Sequence, residues 1–234
     1  PFLYFLITRQ LNKSTIKKTI ILLILGGFQG FLGWYMVKSG LVDRPDVSHY
    51  RLAAHLTTAF VTFAFTLWVA LDLIFPIKQT INKTYRNLIR IGLAILFIQI
   101  IYGAFVAGLD AGFIHNHWPM MSEGKLMHET VLTEKTPVYK NFIEGRSGVQ
   151  FVHRILAFIV VISVVIIYIK GKKIAVSNHQ LNGLNSLLIL VGIQSLLGVL
   201  TILLQVPLWL GIAHQIGAFL LLSSMIFTLH RFSK

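Results

Sequence analysis

Of the 234 residues, 55% are hydrophobic and only 12% charged, and the mean hydropathy is +0.73; this is too apolar for a soluble domain and typical of a multi-pass membrane protein. The net charge of +13 does not argue for nucleic acid, because the lysines and arginines sit in short clusters between apolar runs, as the positive-inside rule produces. The lack of cysteine excludes disulfides, thiolate metal sites, iron–sulfur clusters and covalent c-type haem, which leaves histidine as the obvious metal ligand.

In chain order, a short apolar run at the start leads into a basic segment with Arg9, Lys13, Lys17 and Lys18. The run reads as the tail of a helix, so an N-terminally incomplete chain is expected. Six spans follow, at 19–36, 52–75, 88–109, 149–169, 184–204 and 208–229, each long enough for a hydrocarbon core of about 30 Å. The fold class expected is therefore an all-α polytopic membrane protein. Basic residues cluster at both termini and in the loops after the second and fourth spans, at 76–87 and 170–183, while the alternate loops hold every acidic residue except Asp72. The basic segments belong on the cytoplasmic or matrix side.

Two patterns recur along the spans. Histidine is followed four and five residues later by alanine and phenylalanine at His55, His153 and His214, and glutamine is followed four later by glycine at Gln29, Gln99 and Gln194. The repeating unit is a glutamine helix, an outer connection and a histidine helix, so the copies are parallel repeats. The Gln-xxx-Gly pattern reads as close helix packing. All three histidines fall near the outer ends of their spans, at similar depth.

One such histidine alone would read as a buried, hydrogen-bonded tie between helices. Three at matched depth, in a chain without cysteine, point to axial ligation of haem iron between helices of a bundle. The alanine one turn on leaves room for a flat macrocycle, and the phenylalanine beside it is expected against the ring edge. Arg154 is placed to pair with a haem propionate, and an ionisable residue inside a span is by default functional. The long outer connection, 110–148, is expected to form a lid. His115, His117, Met120, Met121, Met127 and His128 in it form a copper-friendly set, but their irregular spacing favours lid residues.

The stretches GGFQGFLGWYMVKSGL at 26–41, HYRLAAHLT at 49–57, YGAFVAGLDAG at 102–112 with Trp118-Pro119-Met120, FVHR at 151–154 and VPLWLGIAHQIGAFLLL at 206–222 resemble the haem A synthase family, in its cysteine-free type. That resemblance implies two four-helix halves: residues 1–87 would be the remainder of a substrate-haem half and residues 88–234 a half holding a haem b cofactor. It implies His153 and His214 as the cofactor ligands and His55 as a substrate-haem ligand; two imidazoles on one iron would stand on adjacent helices with facing Nε2 atoms about 4 Å apart, twice a typical iron–imidazole bond. It further implies oxidation of a methyl group of haem O to a formyl group, giving haem A for terminal oxidases. The electron donor is left open; haem O synthase, cytochrome oxidase assembly factors and a second copy are possible partners, and the location is a bacterial cytoplasmic or mitochondrial inner membrane. The family's first helix, its first histidine helix and the outer loop with a catalytic acidic residue have no counterpart here. The chain alone is therefore expected to hold the second-half haem without making haem A. His115 and His117 fall outside the family pattern, and a b-type electron-transfer subunit is the rival reading.

The charge count predicts sidedness. A Lys172→Cys variant should react with a membrane-impermeant thiol reagent only from the cytoplasmic side, and labelling from outside would reverse the topology.

Overall fold

The computed structural model describes residues 1–40, 47–75 and 82–233, without the side chains of 39 and 40. Part of the 76–87 loop in the charge count, residues 76–81, therefore lies outside the described residues. A short helix α1 (Phe2–Ile7) precedes three long ones, α2 (Lys13–Gly40), α3 (His49–Ile74) and α4 (Lys83–Gly108). The outer connection carries single turns α5 (Thr130–Thr133) and α6 (Asn141–Glu144), and then come α7 (Arg146–Lys172), α8 (Asn178–Leu203) and α9 (Leu208–Arg231). Six of these helices, α2, α3, α4, α7, α8 and α9, are long and apolar enough to cross a membrane, matching the six expected spans. Away from water, a helix is how such a segment satisfies its own backbone.

Three of the helix starts have a local cause. Asn82 accepts the Tyr85 amide at 3.0 Å and opens α4, and Ser177 accepts the Gln180 amide at 3.3 Å and opens α8, both as helix N-caps. Pro207 precedes α9, where its missing N–H costs nothing.

The packing closes a ring. Helix α4 lies against α7, α7 against α8, α8 against α9, and α9 against α4. The histidine helices α7 and α9 thus occupy opposite corners, which corrects the expectation that they are adjacent. The reason is that each glutamine helix sits beside a histidine helix, so the two kinds alternate around the ring. Toward the end of the bundle away from the histidines the interior is filled by Ile89, Leu96, Val164, Ile167, Leu187, Leu222 and Met225, all nearly or fully buried. Helix α3 packs outside the ring on α4 and α9, and α2 packs on α3.

The acidic exception in the charge pattern joins these layers. Asp72 on α3 accepts from Lys18 Nζ of α2 at 2.6 Å and pairs with His230 Nε2 of α9 at 3.0 Å. Because His230 is completely buried, Asp72→Ala should lower the thermal stability of the solubilised protein by about 1–3 kcal/mol. Lys18→Ala should cost less, since that amine is partly exposed; an unchanged melting temperature for Asp72→Ala would contradict the tie.

Candidate functional site

The three glutamine helices and the three histidine helices meet in the same way. Gln29 Nε2 lies 3.1 Å from His55 Nδ1, Gln99 Nε2 lies 3.3 Å from His153 Nε2, and Gln194 Nε2 lies 3.4 Å from His214 Nε2. In the first and third pairs the same amide also donates to the histidine's own carbonyl, at 3.1 and 2.9 Å. The glycine one turn on completes the seat: a Cβ on Gly33, Gly103 or Gly198 would stand 3.1, 3.3 or 3.0 Å from Cε1 of His55, His153 or His214. Only a residue without a side chain lets the imidazole edge lie flat on the neighbouring backbone. The repeat read as packing is therefore a seat for each histidine.

His153 and His214 stand on the two diagonal helices of the ring, α7 and α9. Their Nδ1 atoms are buried without a hydrogen-bond partner, and so are the Oε1 atoms of Gln29, Gln99 and Gln194. Orphaned polar atoms of this kind are rare and call for an explanation. They fit a group not made of protein: an imidazole that ligates a metal needs a partner for its other nitrogen, and each seat has an idle amide oxygen at hand. The phenylalanines of the repeat are not equivalent. Phe60 is buried, whereas Phe158 and Phe219 are exposed, and Phe219 packs at a tilt against Phe63 with ring centres 4.0 Å apart.

Above the histidine end lies the cap formed by 110–145, as the lid reading expected. Its hub is Asn141, fully buried, whose Oδ1 accepts the Lys135 amide at 2.6 Å and whose Nδ2 donates to the carbonyls of Leu132, Lys135 and Val138. Glu134 accepts the amides of Arg146 and Ser147, both at 3.0 Å, and so caps α7, which has only Gly145 ahead of it. Arg154 reaches up from α7 to donate to the carbonyls of His115 at 2.6 Å, His117 at 2.8 Å and Met120 at 3.4 Å. The residue expected on a propionate thus holds the cap down, and only its buried Nε lacks a partner. Tyr50 donates to Glu144 at 3.2 Å and His49 meets the Ile143 carbonyl at 3.0 Å, tying the cap to α3.

Among the lid histidines, His115 and His128 are brought together with ring centres 4.6 Å apart, while His117 is exposed. Among the described residues no three His, Asp or Glu side chains converge as a metal site. Glu134, Asn141, Thr130 and Ser147 escaped the sequence reading, since nothing local distinguishes a cap hub from a polar loop residue.

A profile of the COX15-CtaA family, described as cytochrome oxidase assembly protein, matches residues 1–226. The chain belongs to that family. Among its relatives, a protein named "Heme A synthase" from Flavobacterium psychrophilum is 60% identical over 234 residues, all of this chain and 69% of the relative. One of the same name from Flavobacterium johnsoniae is also 60% identical over 236 residues, and one from Wolbachia pipientis wMel is 41% identical over 232 residues, 98% of this chain and 64% of the relative. The chain thus spans about two thirds of the length of these family members.

Two outcomes follow for this site. Gly198→Val should push the His214 ring out of its seat and lower the protein's haem content more than a matched Gly192→Val, where a Cβ meets nothing within 4 Å; equal haem content would contradict the seat. The cap should loosen in acid. Burial, aided by nearby His128, Arg154 and His117 and opposed by Glu134, holds His115 down from 6.5 to about 4. Below pH 6.5 an opened cap therefore binds the proton that the closed cap refuses. Cap stability should be complete above pH 6.5 and fall as the pH drops toward 4, seen as faster amide exchange in 111–145 at pH 5 than at pH 7.5 after correction for intrinsic rates.

Proposed function

We propose that this protein acts as a haem A synthase, oxidising the methyl group of haem O to a formyl group, and that it does so with a haem b held between α7 and α9. The observation that carries this reading is the threefold glutamine–histidine–glycine seat with its idle polar atoms, in a chain 60% identical along its whole length to proteins bearing that name. The b-type cytochrome alternative accounts for the seats but not for these relatives.

In this reading His153 and His214 would hold the cofactor haem, and His55 would hold the substrate haem in the half to which α2 and α3 belong. A bound haem supplies the redox chemistry, and the protein supplies position and electrostatics. With haem bound, each imidazole would present Nε2, and the unpartnered Oε1 of Gln99, Gln194 or Gln29 would be the acceptor for its Nδ1–H. Arg154 Nε–H is the donor left for a propionate, while the rest of the guanidinium keeps the cap closed and water out. The bilayer is that of the bacterial cytoplasmic membrane.

The test is to produce the full-length protein beside a haem O synthase and to extract pigments. Haem A should accumulate, and His153→Ala and His214→Ala should each abolish the bound haem b spectrum; haem b without any haem A would favour the cytochrome alternative. The seats make a sharper prediction about potential. Gln99→Glu should draw the Nδ1 proton, make His153 a more basic ligand and lower the haem midpoint potential. Gln99→Leu should raise it, and shifts of the same sign in both variants would show that Gln99 only packs.

A further inference from the structure

The cap borders an open-sided cavity of about 700 Å³ lined by His115, His128, Met121, Ile114 and Leu203 among others, within the roughly 300–1,000 Å³ of small-molecule sites. Behind its two imidazoles runs a chain of hydrogen bonds: His115 Nε2 to Ser147 Oγ at 3.0 Å, Ser147 Oγ to Thr130 Oγ1 at 2.7 Å, and Thr130 Oγ1 to His128 Nδ1 at 2.6 Å. One further bond sets its direction. The backbone N–H of Thr130 donates to His128 Nδ1 at 3.2 Å, so that nitrogen is an acceptor and the proton of a neutral His128 sits on Nε2. The Thr130 hydroxyl then donates to His128, the Ser147 hydroxyl to Thr130, and His115 Nε2–H to Ser147. What remains for the cavity is one acceptor, His115 Nδ1, and one donor, His128 Nε2–H, neither bonded to another described residue.

A carboxylate is disfavoured there, because it meets a lone pair on His115 and the acidic side chains of Glu123 and Glu129 that also line the cavity. A cation has no convergent ligands and faces Lys125. A phenolic hydroxyl suits the pair, since it both donates and accepts. Ile114, Met121 and Leu203 supply apolar surface for an aromatic ring. Leu203 also continues into an exposed apolar strip at the α8–α9 turn, where Leu204, Leu208 and Trp209 are 55%, 80% and 65% exposed, so the ligand can carry an apolar tail in the bilayer.

We propose that this cavity binds a membrane-borne hydroquinone, whose ring hydroxyl donates to His115 Nδ1 and accepts from His128 Nε2–H. This rests on the redox reading above, since such a compound is a source of reducing equivalents beside a haem enzyme.

The experiment is anaerobic calorimetry on the purified full-length protein with menadiol and with its dimethyl ether, which has the same ring but no hydroxyl donor. Menadiol should bind saturably and at least tenfold more tightly than the ether; His115→Phe and Thr130→Val should each weaken menadiol at least fivefold and leave the ether unchanged. Equal affinity for the two compounds, no saturable binding, or variants that bind menadiol normally would overturn the proposal. The comparison of ligands needs no variant, so a misfolded mutant does not rescue it. Haem content, read from the absorption spectrum of the same samples, separates the two readings: discrimination without bound haem overturns the cofactor assignment alone, and bound haem without discrimination overturns the cavity alone.

Discussion

The contact on which the arrangement depends is the imidazole seated between a glutamine amide and a glycine backbone of the neighbouring helix. It is short, polar and set within apolar surroundings, where an unmade hydrogen bond costs more than in water. Each seat requires two helices to approach at one height, so it sets the register of its hairpin. Three such seats, one in each hairpin, build the site. Alternation of glutamine and histidine helices around the ring then sends His153 and His214 to opposite corners and leaves the space between them as the interior of the bundle.

Two ends of the bundle perform different work. Toward the end away from the histidines, branched aliphatic side chains from four helices interlock around Ile89, Ile167, Leu187 and Leu222, and the Asp72 group ties α2, α3 and α9. That end supplies rigidity. Toward the histidine end the interior is made of imidazoles, amides and glycines, and buried polar atoms go unpaired. Stability is held at one end so that the other can keep atoms in reserve for a ligand, a division expected where a site must be preorganised.

The cap belongs to the same economy of contacts. Arg154 is adjacent in sequence to a site histidine, yet its guanidinium serves the carbonyls of His115, His117 and Met120. Position of the cap and position of the His153 helix are therefore coupled through one side chain. Glu134 strengthens this coupling by capping α7 from the cap itself. The cap is thus tied by hydrogen bonds to α3 and to α7, the helix that carries His153.

Sequence alone was enough for the class of protein, the number of spans and the identity of the three special histidines, because apolar length and motif spacing are properties of a continuous segment. It also marked the glutamines and glycines, but as packing, since what a glutamine touches depends on a helix far away in the chain. The diagonal placement of α7 and α9 was decided only by the tertiary structure: the order of helices around a ring is a matter of which faces pair, and hydropathy along a span that is apolar all round does not encode it. The same holds for Arg154, whose partners lie 34 to 39 residues away, and for the four-member chain from His115 to His128. Ser147 and Thr130 are ordinary polar residues in the sequence; only folding of the cap brings their hydroxyls together and gives the two imidazoles opposite roles.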